Sequence, residues 1–441
     1  MHPNVCGIAR RRDTGGGAGS ESRTLNICLV SQNYPPETAQ GGIGTQTWNK
    51  ARVLVGLGHS VHVLSSANGP DRAIRTRTDD GVVVHRMGRP GEDPGLEFGI
   101  YHSHTFWVGY AWSVLRALRR LTQTTRFDVI DFAEYGAEGF SYQLDRTPED
   151  ETAVVVQLHG PLAMLATHIG WPDKESDFYR VGTFMEGVSI RLADRLMACS
   201  AGIADFTARL YGIPRSTIDV VKCGVDTDAF RPADTAEGPH TRPTVLFVGN
   251  VAASKGASTA LEAVLRLRSK HPDIKLQIVG RGDRKFVAEL QSRVDAEHAE
   301  GSVEFCGFVD RQRMPKFFQR ADVFCSPATY EGGTANVYLE AMACGCPVVA
   351  STAGGAVEAV EDGVTGLLVP PGDVGEVTEA LDRILANEPL RRRMKEDCRA
   401  RTDEHFSMDR YISRILDVYE AAIERRIAMA SANAIAVGGS V

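Results

Sequence analysis

The 441-residue sequence has no CxxC pair, no HExxH motif and no phosphate loop of the Walker type. None of its lysines is followed by serine or threonine, which excludes the P-loop of nucleoside triphosphatases. Gly280-Arg-Gly282 has two of the three glycines of a dinucleotide fingerprint and lacks the last, so a dehydrogenase reading is weak. Ala198-Cys-Ser200-Ala-Gly202 lacks the first glycine of a nucleophile elbow. His102-Ser-His104 stands without the further ligands a zinc site requires and reads as a surface pair. No uncharged apolar run approaches the ~20 residues that span a bilayer. Lysine is scarce, nine residues against forty arginines, and the net charge is −7. Both halves are mildly acidic, so neither is a polycation and a nucleic-acid partner is not expected.

Nine cysteines are scattered along the chain, most of them in apolar or small-residue surroundings. Such an odd, unpatterned set reads as reduced thiols acting as small hydrophobes, and the expected location is cytoplasmic. Met1–Arg23 carries three consecutive arginines and a glycine-rich run but no apolar core of a signal peptide. Residues 1–23 are expected to be disordered and 431–441 to form a flexible tail.

Hydrophobic residues make up 43% and charged residues 24%, a globular balance long enough for two or three domains. Short apolar runs alternate with helical patterns. Asn26–Ser31, Ser60–Ser65, Val82–Arg86, Val129–Phe132 and Thr152–Leu158 read as buried strands, Ile190–Ala198 ends in another, and Ile218–Lys222 gives one more. The pattern breaks at Arg231–Pro243, where prolines and polar residues cluster, then restarts with Thr244–Val248, Lys275–Val279, Val303–Cys306, Val323–Ser326 and Pro347–Ser351. Val374–Ile427 reads as mostly helix. Strands separated by helices give parallel sheets covered on both faces. The fold expected is α/β, two doubly wound units in tandem, with ligands outside the carboxyl ends of the strands. The expected boundaries are 24–235 for the first unit and 240–407 for the second, followed by a helix at 408–428.

Three segments carry chemistry. After the first strand come Gln40-Gly41-Gly42-Ile43-Gly44, glycines that let backbone amides approach an anion, or simply a flexible turn. The second unit opens on Gly249-Asn250-Val251-Ala-Ala-Ser-Lys255-Gly256, where Lys255 follows the first strand and could neutralise a diphosphate. The densest segment runs from Ser326 through Glu331-Gly-Gly-Thr334-Ala335-Asn336-Val337 to Glu340-Ala-Met-Ala-Cys-Gly. A helix starting near Thr334–Asn336 offers free amides and a positive dipole end to a phosphate. Glu340, just over one turn in, could hold a ribose diol.

This last segment resembles the signature of the retaining nucleotide-sugar glycosyltransferases of family 4, Glu-Gly-Phe-Gly followed by a second Glu in Glu-Ala-Met-Ala. Leu158-His159-Gly160, Ala193-Asp194-Arg195, Gly224-Val225-Asp226, Lys255-Gly256, Gly280-Arg-Gly282, Phe305-Cys-Gly-Phe308-Val309, Ala321-Asp322-Val323 and Phe406-Ser407 are similar to family segments and occur in the same order. The resemblance covers roughly residues 26–426. It implies the GT-B architecture, two Rossmann-like domains with the nucleotide-sugar in the cleft between them and a final helix that crosses back to the first. It implies no metal and no cofactor beyond the donor. By motif match Lys255 binds the diphosphate with Asn250 beside it, the amides of Thr334, Ala335, Asn336 and Val337 cradle it, and Gly42 lies near the phosphates. Glu331 binds the donor sugar, Glu340 the ribose, Phe308 and Val309 flank the base, and His159 touches the sugar. Glu331, Lys255 and His159 are the catalytic candidates.

Three positions depart from the family pattern. Eight residues, not seven, separate Glu331 from Glu340. Asn250 stands where the family often has arginine, and Cys223 where asparagine usually precedes Gly-Val-Asp. The implied reaction moves a sugar from a UDP- or GDP-linked donor to an acceptor that can be a small molecule, thiol, glycan or lipid. A GT-B epimerase and a non-catalytic nucleotide-sugar-binding protein are the alternatives. The acceptor is expected in the first unit, with Trp107 and Glu134 as candidates beside Tyr101, His102, His104 and Phe106. Arg116, Arg119, Arg120 and Arg126 interleave with leucines and valine as in a solvated amphipathic helix, a peripheral membrane contact being the less favoured reading.

Overall fold

A computed structural model describes residues 23–38, 41–68, 73–88, 106–233 and 242–438. The expectations for residues 1–22, Tyr101, His102 and His104, and for most of the proline-rich break, lie outside these residues, as does the side chain of Phe106.

The first sheet contains β1 (Asn26–Val30), β2 (Ser60–Ser66), β3 (Arg75–Asp79), β4 (Val82–Met87), β5 (Val129–Ala133), β6 (Ala153–Leu158), β7 (Arg195–Ala198) and β8 (Ile218–Val220). Its order is β3-β4-β2-β1-β5-β6-β7-β8. All pairings are parallel except β3 with β4. Every residue of β5 and β6 is buried, Asp131 and Gln157 included, as expected of central strands covered on both faces. β3, Arg-Thr-Arg-Thr-Asp, escapes a hydrophobicity reading because it is an antiparallel edge strand with both faces in solvent. The second sheet contains β9 (Thr244–Val248), β10 (Lys275–Val279), β11 (Val303–Gly307), β12 (Val323–Ser326), β13 (Val348–Ser351) and β14 (Gly366–Val369), in the order β11-β10-β9-β12-β13-β14, all parallel. Strand order reverses between β1 and β5 in one sheet and between β9 and β12 in the other. These are the switch points where the loops diverge and leave a crevice.

The last helix, Met408–Gly438, belongs to the first unit's core. Tyr411, Ile412, Ile415, Val418, Tyr419, Ala422 and Ile423 pack with Ile27, Leu29, Val63 and Val155. The helix continues through Gly438, ten residues beyond the expected end, so a tail beginning at 431 is corrected: residues 431–438 are helical. A buried polar network anchors it. Lys50 Nζ, from the helix Gly41–Gly56, meets Asp131 Oδ2 at 2.5 Å and Gln157 Oε1 at 2.9 Å. Tyr419 donates its hydroxyl to the same Asp131 oxygen at 2.5 Å, and Gln157 Nε2 lies 3.4 Å from the Tyr411 hydroxyl. A buried lysine is tolerated because its charge is met by a carboxylate that is itself hydrogen-bonded.

The eight described cysteines are all free, and all but Cys306 are buried. In the arginine-bearing helix Phe106–Leu121, Val114, Leu115 and Leu118 face the core while Arg119 pairs with Asp145 in solvent. No helix among the described residues is long and apolar enough to cross a membrane.

Candidate active site

The loops after β9 and β12, neighbours at the switch point, are stitched together. After β9 the chain makes a 3-10 turn, Ala253–Lys255, closed by Gly256 at φ +79°. A Cβ on Gly256 would sit 2.4 Å from the Pro327 carbonyl oxygen, so only glycine lets this turn lie against the loop after β12. Thr329 N donates to Ser254 O at 2.8 Å. The outcome is an ion pair: Lys255 Nζ lies 2.6 Å from Glu331 Oε1, the carboxylate buried and the ammonium partly open to solvent. Glu331 does not sit on a slack loop. Its N–H donates to Ala353 O and its carbonyl accepts from Gly355 N at 2.6 Å, tying it to the segment after β13.

The helix Asn336–Ala343 begins directly after this loop, and no side chain caps it. Ala335 N, expected to cradle the diphosphate, donates to Gly333 O at 2.8 Å instead, and Tyr338 N donates to Ala335 O at 3.0 Å, so the amides of Asn336 and Val337 are the ones left for another acceptor. Thr334 is fully buried, with its hydroxyl beside the Cys223 thiol, so Thr334 can offer its backbone only. Glu340 is buried, and its Oε1 accepts from Arg311 Nη1 at 2.7 Å. Arg311 and the exposed Phe308 both lie beyond β11, Phe308 carrying the guanidinium of Arg281 4.5 Å above its ring. Gly280 and Gly282 serve the backbone: a Cβ on Gly280 would lie 1.8 Å from Gly249 O, and Val251 N donates to Arg281 O. Asn250 is exposed on that loop. The one Asp-x-Asp, Asp226–Asp228, is a turn: Asp226 Oδ1 accepts from Asp228 N and Ala229 N. Among the described residues no group of three histidine, cysteine or acidic side chains is placed to hold a metal ion.

The first unit closes on this loop. Ser200 donates its hydroxyl to Gly332 O at 3.0 Å, and Gly202 N donates to Glu358 Oε1 at 3.1 Å. His168 stacks on Tyr330, ring centroids 3.9 Å apart and nearly coplanar. A Cβ on Gly332 would lie 3.2 Å from His159 O, and one on Gly333 2.5 Å from Cys199 Sγ. His159 is thus at the junction, as is the second turn of the helix Gly41–Gly56 through Gln46, whose Nε2 reaches Cys223 Sγ at 2.7 Å. Burial, with Lys50 nearby, pushes the His159 imidazole down to about 3, so it is neutral at physiological pH.

Two profiles match the chain. Residues 40–229 match Glycosyltransferase Family 4, and 232–401 match Glycosyl transferases group 1. A D-inositol 3-phosphate glycosyltransferase of Kribbella flavida is 31% identical over 372 residues, covering 80% of this chain and 84% of that one. The chain belongs to glycosyltransferase family 4. The glycogen synthase of Mycobacterium tuberculosis is 29% identical over 406 residues, covering 90% of this chain and 95% of its own length. Among solved structures, sucrose-phosphate synthase from Thermosynechococcus elongatus superposes with a TM-score of 0.75 at 20% identity, covering 90% of this chain and 98% of the other. The Anabaena protein HepE, in complex with UDP-glucose, superposes at 0.69 and 19% identity, with 90% and 100% covered. The architecture is therefore GT-B, and the protein is a glycosyltransferase that uses a nucleotide sugar.

Within this family member the two acceptor candidates read from sequence are packing residues. Trp107 is 3% exposed and wedged between Tyr135 and Phe178. Glu134 is fully buried, and its carboxylate accepts from the amides of His159 at 2.7 Å and Gly160 at 2.5 Å. It fixes the corner after β6. Sequence reading missed Arg311 and Arg281. The first lies three residues beyond the Phe308 motif and the second between the two glycines, which were the only available signals.

Proposed function

We propose that the protein is a retaining, metal-independent glycosyltransferase, with the nucleoside diphosphate held by the second unit and the acceptor by the first. The observation that carries this is the Lys255–Glu331 pair at the mouth of an uncapped helix N-terminus, facing His159 across the junction. Lys255 and the first-turn amides of Asn336 and Val337 meet the negative charge that develops on the leaving diphosphate, without reorganising as it develops. Glu331 meets the donor sugar. Glu340, held by Arg311, takes the ribose hydroxyls, and Phe308 with Val309 lines the base. The bond from the anomeric carbon to the phosphate oxygen breaks, the bond to the acceptor oxygen forms on the same face, and the acceptor's proton leaves on the departing phosphate oxygen. Neutral His159 has no charge to compete with the developing cation on the sugar.

UDP- and GDP-linked sugars are the donors of this reading, and the chain works without a resident cofactor. The test is release of nucleoside diphosphate across a donor panel, with and without EDTA, and the anomeric configuration of the product by NMR. An active enzyme that is unaffected by EDTA and yields retained configuration is the expected outcome. Loss of turnover on chelation, restored by magnesium or manganese, would refute metal independence, and an inverted product would refute retention.

A further inference from the structure

The loop that carries Glu331 belongs to the second unit, yet the first unit holds it from two directions. Ser200 caps the helix Ala201–Tyr211, its hydroxyl oxygen accepting from Ile203 N at 3.1 Å. The same hydroxyl donates to Gly332 O at 3.0 Å, one residue past Glu331. A serine hydroxyl has a single proton to give, so this one is committed to the donor loop. Ser200 is fully buried, and bulk water does not compete for it. One residue before Glu331, Tyr330 lies against the His168 ring.

The second hold runs through Glu358. Its carboxylate reaches the first turn of the same helix, where Gly202 N donates to Oε1 at 3.1 Å. Its Oε2 lies 3.6 Å from Nζ of Lys222, which follows β8 in the first unit. Aligned peptide dipoles favour an anion at a helix N-terminus, and the lysine adds a full charge. The Glu358 side chain is only 16% exposed, so salt and solvent screen this contact less than a surface pair.

The chain between Glu358 and Glu331 is stiff. Glu358 N donates to Gly355 O within the turn Ala356–Ala359, and Arg401 Nε donates to Ala359 O at 3.0 Å from behind. Gly355 N in turn donates to Glu331 O at 2.6 Å. A Cβ on Gly354 would sit 1.8 Å from Glu331 O, and one on Gly355 2.3 Å from the Gly333 carbonyl carbon. The two segments thus lie backbone against backbone. A displacement of Glu358 reaches Glu331 through these contacts and not through a flexible side chain.

We propose that Ser200 and Glu358 are positioning residues for the transfer. From two sides of Glu331 they fix its loop to one helix N-terminus of the first unit, so the first unit sets where the donor-sugar carboxylate points. This rests on the donor reading above, in which Glu331 meets the sugar. The groups assigned to the nucleotide, Lys255, the amides of Asn336 and Val337, and Glu340, all lie in the second unit. Loosening the two holds therefore leaves nucleotide binding in place and misdirects the sugar end of the site. A reacting group misplaced by ~1 Å can cost about a hundredfold in rate.

The test uses the full chain with the sugar nucleotide from which it releases nucleoside diphosphate. Glu358→Ala should lower kcat at saturating donor by roughly ten- to a hundredfold, while calorimetric affinity for free UDP or GDP stays within about threefold of wild type. Glu358→Gln keeps an oxygen for Gly202 N and should recover part of the loss. Ser200→Gly removes the hydroxyl at little cost to the helix, because glycine is an acceptable cap, and should lower kcat in the same way. Ser200→Thr keeps the hydroxyl and should stay within about threefold of wild type, ~0.7 kcal/mol in barrier terms. In a Glu331→Ala chain, neither Glu358→Ala nor Ser200→Gly should reduce the residual turnover further, because the carboxylate they position is gone. The inference is overturned if either single variant keeps kcat within about threefold of wild type, if nucleotide affinity falls in step with kcat, or if the losses persist undiminished in the Glu331→Ala chain. If the wild-type chain binds neither UDP nor GDP, or if Glu331→Ala turns over normally, the donor reading fails. If nucleotide binds, Glu331→Ala is impaired and the Ser200 and Glu358 variants are silent, this inference alone fails.

Discussion

Lys255→Ala would act twice on one site. It removes the cation assigned to the departing diphosphate, and it leaves the Glu331 carboxylate, 10% exposed by its side chain, without the ammonium 2.6 Å away. The incoming diphosphate would then meet an uncompensated anion. A unit charge pair at 4 Å with an effective dielectric of about 20 is worth ~4 kcal/mol. Losing one preorganised donor in an oxyanion-type site costs ~2.7–4 kcal/mol in measured cases. The Lys255 side chain is 37% exposed, so solvent screens part of its effect and the lower end of the range applies. A loss of about 2–3 kcal/mol corresponds to a fall of roughly 30- to 160-fold in kcat/KM for the donor. Steady-state nucleoside diphosphate release over a donor titration measures it, and calorimetry with the free nucleoside diphosphate separates the ground-state share. Lys255→Arg retains the charge and should recover part of the loss. A Lys255→Ala enzyme within threefold of wild type, with unchanged nucleotide affinity, would show that this ammonium serves only to hold Glu331 in place.

Glu331→Ala removes a negative charge beside the diphosphate, so free nucleoside diphosphate should bind as well as or better than in wild type while turnover collapses; normal turnover would move the first-carboxylate role to the backbone near Gly332. Glu340→Ala should weaken free nucleoside diphosphate and sugar nucleotide alike by calorimetry, and a variant affecting only the sugar nucleotide would contradict the ribose assignment. Asp131→Asn leaves Lys50, 3% exposed, without its counter-ion and should destabilise the fold by ~3–5 kcal/mol; a urea-unfolding difference below ~1 kcal/mol would show that Gln157 and Tyr419 suffice to hold the lysine. His85, buried and hydrogen-bonded to His62 at 2.9 Å, is pushed down to about 4, and burial lowers His62 as well. The unfolded chain takes up these protons near the ordinary value of 6.5 while the folded chain resists, so stability should fall as pH drops from about 6.5 toward 4. Urea midpoints at pH 7 and pH 5 measure this, and His85→Gln should show the smaller decline; an equal decline would assign the acid sensitivity elsewhere.

The buried strands of both sheets were legible, β1, β2 and β4 to β8 in the first and β9 to β13 in the second, because short strand-like runs alternate with helical patterns. The stretch from Glu331 to Glu340 announced itself by density alone. Other features had no local signal. β3 is polar throughout, and β14, no shorter than β12 or β13, is set apart from β13 only by the four-residue helix Ala356–Ala359, so no helical pattern marks it off. Trp107 and Glu134 are the residue types that line binding sites, yet the fold spends the indole on filling space against the turn after β5 and the carboxylate on two amides. Whether a strand-end carboxylate faces a ligand or a backbone corner is decided by the neighbouring strand, which a one-dimensional reading does not contain.

The docking of the last helix has a consequence for how the protein is made. Val418, Tyr419, Ala422 and Ile423 belong to the same core as Ile27 and Val155, and Tyr419 completes the ring of partners around Asp131. During synthesis the first eight strands emerge long before these residues do. Until the ribosome has passed position 423, that sheet carries a bare apolar strip and a buried charge pair short of one hydrogen bond. The second unit has one face packed by its own cluster of residues 245–394, while its other face, with Phe318, Phe324 and Tyr338, shares a cluster with Val156 and Ile203 of the first. A fragment cut at the proline-rich break would lack these last-helix residues and leave the apolar strip of the first sheet exposed.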